Sequence, residues 1–211
     1  MPEPRDATTK FSKVDPSEAR RIAILDAATR VFLRYGFKKT SMDDVARAAG
    51  LSRQALYLHF TTKELLFKDA LLRFVGVMQT AMENALADES RSVEDRLLGA
   101  FEAVHGHAIE GLAENGDELL EAATTLIGPL AEDLDRSIVT NVARVLKTSG
   151  IAAEWKSAGM TAKDLAENLL ATSVGVKHQA SNTAAYNEKM RIAIRLVCSK
   201  TPKPVVPTHS R

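Results

Sequence analysis

Apolar residues recur every three or four positions through most of this 211-residue chain, with polar residues between them. That spacing places apolar side chains along one face of an α-helix, whereas a half-buried β-strand needs strict alternation. No long alternating run bounded by turn residues occurs, and no internal repeat is evident. The pattern therefore predicts an all-α fold of about nine helices.

Breaks between the periodic runs indicate where the first helices begin and end. Asp15 followed by Pro16 is typical of a helix start, because aspartate caps free amides and proline suits the first turn. This helix is expected to end at Tyr35, where Gly36 can adopt the left-handed conformation that stops a helix. Ser41 is expected to cap a second, shorter helix.

A helix-turn-helix is predicted over residues 40–64. Gly50 suits the sharp turn between two short helices, since a side chain there would resist the backbone conformation. Ser52 is expected to cap the following helix, which carries Leu56 and Phe60 on one side as core residues. In this motif the second helix is offered to the major groove of DNA.

The opposite side of that second helix carries candidate base-reading residues. Arg53 suits guanine O6 and N7, Gln54 suits adenine N6 and N7, and Leu58 suits a thymine methyl group. Tyr57 shares this side and is expected to donate to a phosphate. The competing interpretation is a solvated polar face on a small helical domain.

Further phosphate contacts are expected near the starts of the adjoining helices, where backbone amides also point outward. The complete predicted set of DNA-contacting residues is Thr40, Ser52, Arg53, Gln54, Tyr57, Leu58, His59 and Lys63.

The run SMDDVARAAGLSRQALYLHFTTKELL resembles the N-terminal domain of the TetR/AcrR family of bacterial transcriptional regulators. By this resemblance, Tyr57, His59 and Lys63 fall on positions that commonly hold DNA phosphates. Where many members have a Pro-Ser pair before Lys-Glu, this chain has Thr61-Thr62, which still supplies a capping hydroxyl. The similarity covers about residues 17–70 and implies architecture, but no ligand chemistry, beyond them. Its most telling pieces are Tyr35-Gly36-Phe37, Thr40, Val45-Ala46, Ala49-Gly50-Leu51-Ser52, Leu56-Tyr57, His59-Phe60 and Lys63-Glu64-Leu65.

A long helix is expected from Thr62 toward Asp88, coupling this N-terminal part to the rest of the chain. Its predicted inner stripe is Leu66, Ala70, Phe74, Val77 and Ala81. Shorter helices follow, and two helices rich in apolar residues close the chain at about 161–180 and 183–200.

The two closing helices suit a four-helix interface with the same pair from a second subunit. Closing the core of a single subunit is the alternative. The family resemblance and the pairing of DNA half-sites both favour a homodimer. The residues predicted at the dimer interface are Leu165, Leu169, Ser173, Tyr186, Met190, Ile194 and Val197.

A ligand cavity, if present, is expected among the helices that follow the helix-turn-helix. Aromatic, flexible or weakly polar residues on inward stripes are the candidates for its lining, and simple core packing is the alternative for each. The predicted lining residues are Phe74, Met78, Phe101, His105, Thr125 and Trp155. They indicate a small, mainly apolar effector.

The composition is that of a globular protein, with 45% hydrophobic and 26% charged residues. No apolar run is long enough to span a bilayer and no secretory signal begins the chain, so we expect a cytoplasmic protein without a membrane partner. Residues 1–64 hold 12 basic and 8 acidic residues, against 16 and 19 in residues 65–211. The basic excess coincides with the predicted DNA-binding part, although a difference of this size also arises without function.

No catalytic or cofactor motif is found. His105 and His107 lie about 200° apart on a helix and cannot share a metal ion. Phosphate loops, nucleophile elbows and paired catalytic carboxylates are not recognisable, so we predict neither an enzyme nor a metal or cofactor. Cys198 has no partner for an internal disulfide; it is either a buried thiol or a sensor that bridges across a dimer.

Together these features predict four segments: a disordered basic arm (1–14), a helix-turn-helix DNA-binding domain (15–65), a helical ligand-binding and dimerisation domain (66–200) and a disordered tail (201–211). The predicted function is a homodimeric transcriptional repressor that a small effector releases from a double-stranded DNA operator. An activator or a ligand-independent architectural protein fits the same pattern. A helical carrier or enzyme that retains a helix-turn-helix is the rival from another class.

Overall fold

Side-chain caps start most of the helices in the computed structural model, which describes residues 15–106 and 116–199. Each cap accepts a hydrogen bond from an amide that has no partner within its helix. The predicted arm (1–14) and tail (201–211) lie outside the described residues. Ten α-helices and no strand are found within the described ranges, confirming the all-α class. The helices are α1 (Pro16–Lys39), α2 (Met42–Ala48), α3 (Arg53–Tyr57), α4 (Lys63–Ala87), α5 (Val93–Phe101), α6 (Gly116–Ile127), α7 (Leu130–Thr148), α8 (Ile151–Glu154), α9 (Ala162–Gln179) and α10 (Thr183–Cys198).

Helix α1 is interrupted after Tyr35, the position at which it was expected to end. It bends at Gly36, whose φ of +79° is left-handed, and helical structure resumes as far as Lys39. A π-helical turn over Glu102–Gly106 extends α5, and a 3-10 turn over Lys156–Ala158 follows α8.

Two clusters of buried apolar side chains organise the chain. The first, which we call the head cluster, joins α1, α2 and the α3 region to the first turns of α4 and to Leu119 of α6. The second, the body cluster, joins the far end of α4 to α5, α7, α9 and α10. Helix α4 contributes Leu66, Phe67 and Ala70 to the head cluster, and Met82 and Leu86 to the body cluster.

The predicted inner stripe of α4 is correct only in its first half. Leu66 and Ala70 are buried, but Val77 is 52% exposed and Ala81 is also exposed. The buried residues of the second half are Val75, Met78, Met82 and Leu86. The helix therefore presents a different side to the body cluster than to the head cluster.

Ion pairs reinforce the packing of α4 against α1. Arg73 of α4 donates to both carboxylate oxygens of Asp26 at 2.7 and 3.2 Å, and Arg21 of α1 pairs with Asp69. Because these groups are only partly exposed, the pairs hold the two helices in one register more firmly than isolated surface charges do.

The residues predicted at the dimer interface are all buried within the single chain. Leu165, Leu169, Ser173, Tyr186, Met190, Ile194 and Val197 are all at most 7% exposed within the single chain. They pack against α4, α5 and α7 in the body cluster and have no surface left for a second subunit. The closing helices thus bury one side in their own subunit, and only their other side is available to a partner.

Candidate nucleic-acid interface

The turn between α2 and α3 is built by local hydrogen bonds. The Ser41 hydroxyl accepts from the amide of Asp44 at 3.2 Å, and the Asp44 carboxylate accepts in return from the amide of Ser41 at 3.0 Å. The Ser41 hydroxyl also holds the pKa of Asp44 below its usual value. Gly50 has a φ of +67°, and the Ser52 hydroxyl accepts from the amide of Ala55 to start α3.

Buried residues fix the orientation of α3. Val45 of α2, Leu56 of α3 and Phe60 beyond it are between 0 and 3% exposed and belong to the head cluster. Since α3 is only five residues long, these anchors rather than its own helical stability hold it in place.

The outward side of α3 carries the predicted reading residues. Arg53 and Gln54 are exposed, Tyr57 is 38% exposed, and Leu58 is 87% exposed. Leu58 follows the last residue of α3, and it belongs to neither the head cluster nor the body cluster. His59, the next residue, is also exposed.

Asp43 of α2, which the sequence alone did not single out, holds the Arg53 side chain in place on the protein surface. The Arg53 guanidinium donates to Asp43 at 3.1 Å and lies over the ring of Tyr57, with its central carbon 5.5 Å from the ring centroid. Both partners are exposed, so the ion pair is weak and can be exchanged for a base edge.

Thr40 and Lys63 have internal partners in this structure. The Thr40 side chain is 3% exposed and its hydroxyl donates to the carbonyl of Gly36 at 2.6 Å. The Lys63 ammonium donates to the carbonyls of Phe37 and Thr40 at 3.0 and 3.1 Å and lies 4.5 Å from the centroid of the Phe37 ring. These two residues therefore brace the loop that leads into α2, and the Thr40 hydroxyl does not face solvent.

The six predicted ligand-lining residues do not meet in one cavity, because they lie on different sides of the helices that carry them. Phe74 lines a cavity between α1, α4 and α6, whereas Trp155 lines an open groove beside α9 and α10 and donates to the carbonyl of Val197 at 2.8 Å. Thr125 is exposed. Phe101 and His105 are buried in or beside the body cluster, and Met78 is buried on α4.

His105 belongs to a buried chain of hydrogen bonds. Its Nδ1 lies 2.6 Å from the Ser173 hydroxyl, which lies 2.6 Å from the Tyr186 hydroxyl. Tyr186 donates to the carbonyl of Phe101 at 3.2 Å, so Ser173 donates to Tyr186, and His105 donates to Ser173. Burial lowers the pKa of His105 to about 4 and raises the pKa of Tyr186 to about 12, so both are neutral at pH 7.

Sequence reasoning missed this chain of hydrogen bonds because its members lie far apart in sequence. Its only local signal is a serine within the small and aliphatic inner stripe of α9. His107, considered with His105 as a metal ligand, lies outside the described residues. Within residues 15–106 and 116–199, no three His, Cys, Asp or Glu side chains are grouped closely enough to hold a metal ion.

Two large apolar side chains are exposed on the outer side of α10, among polar and charged residues. Ile192 and Leu196 of α10 are 59 and 67% exposed, and they line a groove together with Met160, Asn168 and Thr172. Cys198 is half-buried near the end of α10. Burial, with the charge of Glu94, raises the pKa of its thiol to about 11, which keeps it protonated at neutral pH. No helix within the described ranges is long and apolar enough to cross a bilayer.

Comparison with known proteins supports the interpretation of α1 to α4. Residues 24–70 match the family described as bacterial regulatory proteins, tetR family. The HTH-type transcriptional repressor ComR of Escherichia coli (strain K12) is 36% identical over 95 residues, which cover 45% of this chain and 45% of ComR. The HTH-type transcriptional activator FasR of Mycolicibacterium smegmatis is 35% identical over 88 residues, or 42% of this chain and 40% of FasR. The chain thus spans less than half the length of either relative.

The likeness in three dimensions extends further. A transcriptional regulator from Rhodococcus sp. Rha1, known from its crystal structure, superimposes with a TM-score of 0.64 over 84% of this chain and 95% of that protein. The sequence identity is 21%. The shared fold therefore extends beyond the part where sequence similarity is evident.

Proposed function

We propose that this chain, a TetR/AcrR-family regulator by its match over residues 24–70, binds a specific double-stranded DNA site through the outward side of α3. The observation that carries the proposal is the exposure of Arg53, Gln54, Tyr57 and Leu58 on a helix whose other side is locked into the head cluster. A helix that enters a major groove needs a fixed orientation and an exposed surface of polar and apolar side chains. Helix α3 has both, because its buried side is packed in the head cluster.

The side chains divide into base-reading and backbone-holding groups. Arg53 leaves Asp43 to donate to a guanine edge, Gln54 pairs with an adenine edge, and Leu58 contacts a thymine methyl group. Tyr57 and His59 donate to phosphates, together with Ser52 at the start of α3.

Lys63 and Thr40 serve the interface differently. Two N–H groups of the Lys63 ammonium are used inside the protein, which leaves the third for a phosphate. Thr40 contributes through its carbonyl, which holds Lys63, while its hydroxyl fixes the bend at Gly36.

A homodimer is part of the proposal, and its interface is the exposed side of α9 and α10. Ile192 and Leu196 lie one helical turn apart and are largely exposed, which suits the seam of a helix pair. A two-fold pair of heads would read two half-sites of an operator.

We further propose that the protein is a repressor and that a small, mainly apolar effector regulates its binding to the operator. An effector that binds one arrangement of the two heads better than the other increases the fraction of protein in that arrangement. This shift changes the affinity of the dimer for the operator. The relatives include both a named repressor and a named activator, so the sense of regulation rests on the proposal alone. A regulator of chromosomal DNA would act in the cytoplasm.

A gel-shift experiment tests DNA binding directly. The full chain should shift the intergenic DNA beside its own gene specifically, and the affinity should fall steeply as salt rises, because phosphate contacts release counterions. Lack of a specific shift at every protein concentration would refute the function. Co-purification of a tightly bound molecule in that case would favour a carrier.

Substitutions separate the two groups of contacts. Gln54→Ala should lower the preference for the operator over a mismatched site by about 5- to 150-fold, the range for one lost bidentate base contact. Tyr57→Phe should weaken binding to both DNAs by the same factor, because it removes only a phosphate donor. Lys147→Ala, an exposed lysine of α7, is the control and should change neither. Equal effects of Gln54→Ala and Tyr57→Phe on specificity would contradict the division.

A further inference from the structure

A cavity of about 170 Å³ lies where α1, α4 and α6 meet. Its described lining comes from all three helices: Thr29, Phe32, Leu33, Phe67, Ala70, Leu71, Phe74, Gly116, Leu119 and Ala123. We infer that this cavity, at the junction of the head cluster with α6, binds one small uncharged apolar molecule and that its occupancy alters the position of the head.

The lining determines the chemical class of the ligand. Three phenylalanine rings and three leucines line the site, and Phe32 and Phe67 meet edge to face with their centroids 4.9 Å apart. The one hydroxyl, that of Thr29, already donates to the carbonyl of Leu25 at 2.9 Å. A charged ligand would lose its hydration there without gaining a partner, whereas an aromatic or aliphatic group gains by leaving water.

The volume determines the size of the ligand. An apolar cavity of roughly 150 Å³ is enough for benzene or xenon, and drug-sized ligands need about 300–1,000 Å³. At about 170 Å³ this cavity fits a single aromatic ring or a short alkyl chain. Of the six residues predicted to line an effector site, only Phe74 belongs to it, and the involvement of α1 was not foreseen.

One turn of α6 contacts both the cavity and the end of α1. Leu119 lines the cavity and is buried in the head cluster. Its neighbour Glu118 accepts a hydrogen bond from the backbone amide of Lys38 at 2.5 Å. The approach is close because Gly36 has no side chain: a Cβ there would lie 2.9 Å from Glu118 Oε2.

The end of α1 leads directly into the DNA-reading part. The Phe37 ring packs against Phe67 of the cavity wall with a centroid distance of 4.9 Å, and the Phe37 carbonyl is held by Lys63. A ligand that moves α6 away from α1 would weaken the contact between Glu118 and Lys38 and release the loop that carries α2. This effect on DNA rests on the proposed function, whereas binding to the cavity does not.

Toluene is a suitable probe, since it carries one ring and no charge. With toluene at about five times its Kd, the melting temperature of the full chain should rise by roughly 2–4 °C, the shift expected for a ligand that binds only the folded state of a chain of this size. Ala123→Leu fills the cavity and should abolish the rise. Ala131→Leu makes the same change at an exposed position of α7 and should retain it.

Two outcomes would overturn the binding site: no rise for the unaltered chain, or an equal rise in Ala123→Leu. If circular dichroism shows that Ala123→Leu is unfolded, Leu71→Phe fills the same cavity from α4 and replaces it in the comparison.

The coupling to DNA is measured separately by gel-shift with and without toluene. Toluene should weaken the shift of the unaltered chain at least several-fold. In Glu118→Ala, toluene should still raise the melting temperature but should no longer change DNA affinity. Binding of toluene without any effect on the shift would refute the coupling. A chain that binds toluene but no DNA would refute the proposed function and leave the cavity site standing.

Discussion

At the scale of single residues, His105 shows how packing sets the chemistry of a side chain. The π-helical turn Glu102–Gly106 directs its imidazole to Ser173, and the nearby positive charges of Lys177 and His178 add to the effect of burial on its pKa. π-Helical turns often mark functional positions, because the extra residue re-aims side chains. Here the turn aims a neutral donor at Ser173 of α9, which in turn donates to Tyr186 of α10.

The pH dependence of stability follows from the lowered pKa of His105. The folded chain binds fewer protons at this residue than the unfolded chain between pH 6.5 and about 4. The stability contribution of neutral His105 is therefore complete above pH 6.5 and decreases as pH falls toward 4, by up to about 3 kcal/mol. Urea unfolding at pH 7.0 and 4.5 measures this loss.

A variant separates His105 from the carboxylates that titrate in the same range. His105→Asn keeps a hydrogen-bond donor near Nδ1 but has no proton to gain, so its free energy of unfolding should decrease less between the two pH values. If the variant and the unaltered chain lost equal stability, His105 would not be the group responsible.

At the scale of helices, the bend of α1 at Gly36 combines two constraints on one residue. The left-handed φ of +79° disfavours any side chain, and the Glu118 carboxylate occupies the space where a Cβ would lie. The sequence predicted the first constraint, since a glycine after a helical run is typical of such a stop. It held no sign of the second, because Glu118 is 82 residues away.

Gly36→Ala should lower the free energy of unfolding by about 1–3 kcal/mol. Gly150→Ala is the control for a positive φ: Gly150 has a φ of +83° and a ψ of −9°, against 169° for the ψ of Gly36, and nothing lies within 4 Å of the added Cβ. It should cost only the backbone strain, about 1–2 kcal/mol. Urea unfolding of both variants gives the comparison, and an equal loss at the two positions would show that the contact with Glu118 contributes nothing.

The helix starts at Ser41, Ser52 and Thr62 could be predicted because caps are local. Ser41, Ser52, Thr62, Ser92 and Thr161 each accept from an amide three residues ahead, within reach of a short sequence window. Which side of a helix meets which neighbour is not local. The stripe on α4 was therefore misjudged beyond Phe74.

At the scale of the whole molecule, the candidate reading surface was predictable and the partner surface was not. The reading residues follow from one short motif whose turn, cap and anchors are adjacent in sequence. Periodicity identified the apolar stripes of α9 and α10 correctly but could not distinguish a stripe buried in its own subunit from one buried between subunits. Ile192 and Leu196 lie on the side of α10 that the body cluster leaves exposed, and only the tertiary packing reveals which side that is.

Ile192→Asp should convert the proposed dimer into a monomer, because a charge would be buried at the centre of the seam. Sedimentation velocity measures the mass, and operator affinity should fall together with it as paired half-site binding is lost. Val77→Asp, a similar change at an exposed valine of α4, should leave the mass unchanged. A dimer that survives Ile192→Asp would exclude this face as the interface.

The division of α4 between the two clusters limits how regulators of this architecture can be recombined. A chimera joined just before Lys63 would deprive the transplanted head of Leu66, Phe67 and Ala70, and a junction after α4 would still omit Leu119. Each missing side chain leaves a hole in the core that costs a few kcal/mol. A grafted head therefore needs matching residues on both α4 and α6 of its new host, and swapping specificity by exchanging only the outward residues of α3 avoids this demand.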